Sequence, residues 1–164
     1  MFLIMIIWLQ AHMLSQENMK KSIKIYVLGS TSFMHEMMKA KNDLIDLGFD
    51  GWIHPDYEAF VRGEKQSILD RAKTEHAAFK RENNYLKVHY KHILESDAIL
   101  IINSEKNGIK NYIGGNVLIE MGQAYVNNKV TFLFNDIPDL PYIAEIESMD
   151  PICLHGVLTN ISKL

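Results

Sequence analysis

Apolar positions along the chain alternate between short continuous runs and stretches with helical spacing. Residues 23–28 (IKIYVL) run into Gly29-Ser30-Thr31-Ser32, the pattern of a buried strand that breaks on a glycine at the start of a parallel α/β sheet. Over residues 33–47, Met34, Met37, Met38, Leu44 and Ile45 fall on one helical face, with Lys41 adding its stem, and Gly48 is a stop signal. Residues 49–53 predict a second strand closed by His54-Pro55. Residues 64–96 predict the longest helical region. Ala72, Phe79, Leu86 and Ile93 recur every seventh position there, Leu69, His76 and Tyr90 fill the turns between, and Asn83-Asn84 mark a kink or split. Residues 98–102 (AILII) form an unbroken apolar run, as in a central strand covered on both faces. A helix over 117–126, a strand over 130–134, a short helix over 142–147 and a strand over 152–154 complete the order. The chain therefore predicts one doubly wound α/β domain, flavodoxin- or Rossmann-like, with a parallel sheet of about five strands and helices on both faces.

The start of the chain stands outside this pattern. Residues 1–14 (MFLIMIIWLQAHML) are apolar, but Gln10 and His12 interrupt the run before the ~20 residues that a membrane span needs. No basic residue precedes the run and no small-x-small cleavage site follows it, so it does not read as a secretory signal. Residues 1–18 are expected to be a weakly ordered leader or an extra helix, and residues 19–164 the domain.

Composition narrows the chemistry. The chain has 164 residues, 48% hydrophobic and 23% charged, which is ordinary for a single globular domain. A lone cysteine, Cys153, excludes an internal disulfide framework and a multi-cysteine zinc module. Seventeen basic residues against 20 acidic ones leave a net charge of −3, so no overall field favours nucleic acid. No nucleic-acid or membrane partner is expected, and the absence of an export signal points to the cytoplasm.

Ligands in doubly wound folds bind beyond the carboxyl ends of the strands. That rule selects the loops at 29–32, 103–115 and 135–141, with Asn103 at the end of the third strand. The richest stretch is Gly114-Gly115-Asn116-Val117-Leu118-Ile119-Glu120. The glycines permit a sharp turn and close approach to a ligand, and the helix that follows presents free N–H groups to the same place. Glu120 stands about one turn into that helix, where the dipole favours an ionised carboxylate; equally, it could be only a dipole-favoured helix residue. Gly29-Ser30 offers a second polar cradle, without the spacing of a dinucleotide fingerprint or the lysine of a P-loop. His89 and His92 stand three apart on a helix, but no third ligand sits at recognisable spacing, so no metal is expected. His54 could face the site or cap a loop. Lys106, Lys110 and Lys129 read as solvated, and Cys153 as an inert buried thiol.

Three of these segments, in order over residues 23–134, resemble the nucleoside 2-deoxyribosyltransferase-like superfamily. They are Ile25-Tyr26-Val27-Leu28-Gly29-Ser30, ILESDAILIIN over 93–103, and Glu120-Met121-Gly122-x-Ala124-Tyr125 with Lys129. The YIGGN-x3-E stretch resembles a distinct branch of that superfamily. The resemblance implies a glutamate nucleophile at Glu120, cleavage or transfer of an N-glycosidic bond on a nucleoside or nucleotide, no cofactor, and a homo-oligomer. Gly114 stands where the family often has Asp or Ser, His89 where it often has Asp, and Ser32 where the monophosphate-cleaving branch usually has Arg.

On this reading Glu120 attacks the anomeric carbon, Tyr26 orients it, and His89 donates to the leaving base. Gly29, Ser30, Asn103, Gly114, Gly115 and Asn116 would line the substrate. Two alternatives stay open. One is a non-catalytic nucleotide-binding or sensor module that keeps the cradle. The other is a phosphoribohydrolase-like enzyme, which would need basic phosphate ligands that the sequence does not place.

Overall fold

The computed structural model describes residues 22–163, apart from 76, 77, 79 and 80. The expectations for residues 1–18, and for His76 and Phe79 in the heptad pattern, lie outside the described residues. Five strands form one parallel sheet: β1 (Lys24–Gly29), β2 (Asp50–Trp52), β3 (Ala98–Ile102), β4 (Val130–Leu133) and β5 (Ile152–Cys153), in the order β2-β1-β3-β4-β5. The helices are α1 (Met34–Asp46), α2 (Pro55–Val61), α3 (Gln66–Thr74), α4 (Tyr85–Leu94), α5 (Gly115–Val126) and α6 (Ile143–Ser148). This is the doubly wound arrangement, and its strand order reverses between β1 and β3, where such folds bind ligands.

Strand alternation divides the core in two. Ile25 and Val27 of β1, with Ala98, Leu100 and Ile102 of β3, face one layer and pack against Met37 and Leu44 of α1, Phe60 of α2 and Leu69 of α3. Tyr26 and Leu28, with Ile99 and Ile101, face the other, against Ile93 of α4, Val117 and Met121 of α5, and Ile146 of α6. The ladder pairs Tyr26 with Ile99 and Gly29 with Ile102. Tyr26 therefore sits within β1 rather than at its end, and it is completely buried. Gly29 is required by that register, because a Cβ there would meet the Ile102 carbonyl oxygen at 2.7 Å.

The helical region expected over 64–96 is broken. Asn84 adopts a left-handed backbone (φ 51°) at the head of α4, so the Asn83-Asn84 signal is a split, and α3 ends at Thr74. Helix α2 was not anticipated. Its signature is nonetheless local: Pro55 in the first turn, Asp56 and Glu58 beside it, and His54 accepting the Asp56 N–H at 3.1 Å as N-cap. Gly48 ends α1 with φ 90°, as its place in the sequence predicted. Lys129 is not simply solvated: its ammonium donates to the carbonyls of Leu94 (3.0 Å) and Ser96 (2.6 Å), closing the end of α4.

Candidate functional site

A cleft of about 620 Å³ opens at the β1/β3 switch point. Its floor is the Gly29–Ser32 turn, one wall is the start of α5, and the opposite side is built from α2, α3 and α4. Of the residues singled out from the sequence, Gly29, Ser30, His89, Gly114, Gly115, Asn116 and Glu120 all line it. Asn103 does not. It is fully buried, its amide donates to the Asp136 carbonyl (2.9 Å) and its side-chain oxygen accepts from the Asn135 N–H (2.8 Å). Asn103 thus ties the end of β3 to the loop after β4.

Glu120 occupies the sixth position of α5, in the second turn. The helix dipole acts mainly within the first turn, so burial and local partners define this carboxylate more than the dipole does. It is 5% exposed, and its Oε1 lies 3.1 Å from Nδ1 of His89, itself 5% exposed. The same Nδ1 lies 3.1 Å from the Tyr26 hydroxyl, which is 3.3 Å from Nδ1 of His92. Tyr26 therefore reaches Glu120 through His89.

Rings surround this chain of polar atoms. His54 stacks on His89 with centroids 5.2 Å apart and planes 11° from parallel, so it both caps α2 and backs the site. Trp52 lies against Tyr26 (4.8 Å) and His92 (4.7 Å). Burial is the leading cause of every shift here. It lowers the pKa of His54 against the opposing charge of Asp56, and that of His92 against the opposing charge of Glu95. It pushes the hydroxyls of Tyr26, Tyr57 and Tyr85 far above their ordinary range, with the charge of Glu120 adding to the first two. Those phenols remain donors at any working pH. Burial also raises the thiol of half-buried Cys153, which does not line the cleft.

The sequence reading missed several cleft residues, Tyr57, Tyr85 and Lys106 among them. Tyr57 arrives on the unanticipated α2. Tyr85 is fixed by donating to Asp56 at 2.5 Å, an acid that Lys65 also holds at 2.8 Å. Lys106 was assigned to solvent, yet its ammonium donates to Ser30 Oγ at 2.9 Å inside the cleft and lies 5.3 Å from the centre of the Tyr112 ring. A readable signal accompanied it. Asn107-Gly108, both at positive φ (53° and 79°), form a two-residue turn that pairs Lys106 with Ile109 and projects the lysine stem across the opening.

Gly114, the N-cap of α5, provides no capping side chain, so no side-chain oxygen at that position competes for the first N–H groups of the helix. Lys106 is the sole lysine or arginine, and Glu120 the sole carboxylate, among the described residues lining the cleft. Among the described residues no group of three or more His, Cys, Asp or Glu side chains is placed to hold a metal ion, and no helix is long and apolar enough to cross a membrane. No protein-family model, curated protein or solved structure matches the chain.

Proposed function

We propose that the protein cleaves or transfers the N-glycosidic bond of a (deoxy)nucleoside 5′-monophosphate, with Glu120 as nucleophile. The observation that carries this reading is a nearly fully buried carboxylate on the wall of the switch-point cleft, 3.1 Å from a histidine nitrogen and facing a polar cradle. A buried carboxylate held by a fixed donor suits attack on an anomeric carbon that becomes cationic as its base departs. In the first step the Glu120 oxygen bonds to that carbon, the C–N bond breaks, and the base leaves with the electron pair and takes up a proton. In the second, water or another base attacks the glycosyl ester and frees Glu120. Nδ1 of His89 faces Glu120, so His89 gives the base a proton only when both ring nitrogens are protonated, and then through Nε2.

The remaining cleft residues support the substrate class. Tyr57, Phe60 and Tyr85 offer aromatic faces for a heterocycle. Ser30, Lys106 and the uncapped start of α5 offer donors and positive charge for a phosphate. Lys106 supplies the basic ligand that the sequence alone did not place, and it compensates for Ser32, where the monophosphate-cleaving branch usually has Arg. A cytoplasmic homo-oligomer belongs to the same reading. An exposed stripe of Leu86, Tyr90 and Leu94 on α4 beside Ile119 and Val126 on α5 supports self-association, which sedimentation of the purified chain would measure.

A second reading, a nucleotide-binding module without turnover, is favoured by the lack of any second carboxylate among the described lining residues to serve as acid–base partner. Incubation with a panel of nucleosides and their 5′-monophosphates separates the two. Free base measured by chromatography, with a glycosyl adduct on the intact protein by mass spectrometry, supports the enzyme. Saturable binding with no base released supports the module and refutes the enzyme.

A further inference from the structure

The geometry points to His92 as a positioning residue that sets the direction of the hydrogen-bond chain His92–Tyr26–His89–Glu120 and thereby fixes the proton of His89 on the nitrogen facing Glu120. The consequence for catalysis rests on the proposed role of Glu120; the proton arrangement requires only that Glu120 be ionised.

The argument is one of donors and acceptors. A neutral imidazole nitrogen holds either one proton or one lone pair, and a phenol has one proton to give. Nδ1 of His89 faces two oxygens, Oε1 of Glu120 and Oη of Tyr26, both at 3.1 Å. If that nitrogen carried a lone pair, it would confront an ionised Glu120 without a proton between them. With Glu120 protonated instead, that lone pair would accept the carboxyl proton and His89 would carry its own proton on Nε2, the arrangement that the spectra below tell apart. If Nδ1 carries the proton, it serves Glu120, with the Tyr26 oxygen as a secondary acceptor. The Tyr26 proton must then go elsewhere, and Nδ1 of His92, 3.3 Å away, is positioned to take it. Burial lowers the pKa of His92 and so favours its neutral form, in which one ring nitrogen holds a lone pair, and Nδ1 is the nitrogen that faces the Tyr26 hydroxyl. The resulting order is Tyr26 O–H to His92 Nδ1, and His89 Nδ1–H to the Glu120 carboxylate. Trp52 packs against the His92 ring and donates its indole N–H to Ser96, which in turn donates to the His92 carbonyl.

Substitution of His92 separates this role from packing. Phenylalanine keeps a flat ring against Trp52 but removes the acceptor, so the Tyr26 proton can turn toward His89 Nδ1 and expel the proton there. Asparagine keeps an acceptor oxygen near the place of Nδ1. Long-range ¹H–¹⁵N correlation spectra of the full chain at about pH 8, where an ordinary histidine is neutral, read the tautomers directly. The expected result is His89 protonated on Nδ1 and His92 on Nε2 in the parent, His89 shifted toward Nε2–H in His92→Phe, and the parent pattern restored in His92→Asn. His89 carrying its proton on Nε2 in the parent overturns the inference, as does a His92→Phe spectrum with the His89 tautomer unchanged. With turnover present, His92→Phe should lower kcat by about 100-fold with little change in KM, and His92→Asn should recover most of it. Correct tautomers in a parent that releases no base would remove the glycosidic reading and leave the chain direction standing.

Discussion

Substituting Glu120 by glutamine and by alanine should dissociate stability from turnover. The side chain is 7% exposed and its histidine partner 6%. Glutamine preserves the size and keeps an oxygen for His89 Nδ1–H, so the hydrogen bond survives without the charge. Its cost should stay within about 1 kcal/mol. Alanine leaves the buried Nδ1–H of His89 without that acceptor and opens space against α4. The loss of one member of a buried polar pair should cost about 2–4 kcal/mol. For a domain of this size each kcal/mol shifts Tm by roughly 2–4 °C. The alanine variant should therefore unfold about 4–16 °C below the parent and the glutamine variant within about 4 °C of it. Both should release base at least about 1000-fold more slowly if Glu120 is the nucleophile. Circular dichroism melts at neutral pH and chromatographic detection of free base measure the two quantities. A glutamine variant that turns over at the parental rate refutes the nucleophile; an alanine variant that melts with the parent refutes the buried-pair energetics.

Lys106→Ala should raise KM for a nucleoside 5′-monophosphate about 10–100-fold, the worth of one charge-assisted hydrogen bond, and leave KM for the uncharged nucleoside nearly unchanged; equal effects on both substrates would count against a phosphate at Ser30. Gly29→Ala forces its Cβ to within 2.7 Å of the Ile102 carbonyl oxygen and should cost about 1–3 kcal/mol in urea unfolding. Gly122→Ala meets no atom within 4 Å inside α5 and should stabilise by about 0.5–1 kcal/mol; the opposite order of the two variants would contradict the packing described for β1, β3 and α5. The lowered pKa values of His54 and His92 make the unfolded chain the stronger proton binder just below about pH 6.5. Their contribution to stability is complete above that pH and is lost as pH falls through it toward the folded-state values. His54→Asn retains the N-cap, so its unfolding free energy should fall less steeply between about pH 7.5 and 5.5 than the parent's; parallel profiles would show that His54 is not protonated differently in the two states.

The sheet was legible because the apolar runs of β1 and β3 are continuous, that of β4 is interrupted only by Thr131, and each strand is fixed by tertiary burial on two faces. Gly29 and Gly48 carried their meaning locally, one through close strand approach and the other through a left-handed backbone. The region between β2 and β3 was harder to read. Its heptad pattern in apolar residues suggested one long helical region, and Asn83-Asn84, read as a kink or split, is where Asn84 enters the left-handed region and divides it. Helix α2 is short, and its Pro-Asp-x-Glu opening was overshadowed by the reading of Pro55 as the end of a strand.

The site was legible on the sheet side and obscure on the other. Gly29 and Ser30 stand at the end of β1, and Gly114–Asn116 and Glu120 at the head and in the second turn of α5, where topology alone dictates that loops converge. Tyr57, Tyr85 and Lys106 reach the cleft from α2, the head of α4 and a two-residue turn, elements whose positions depend on contacts such as Tyr85 with Asp56 that no local pattern announces. The same division explains why His92 looked idle. Spacing paired it with His89 as a possible metal ligand, since both lie on α4, whereas the structure connects them through the hydroxyl of Tyr26 on β1. Two histidines three residues apart look like ligands when the helix is considered alone. A buried phenol between them makes them successive steps of one chain of polar contacts that ends on Glu120.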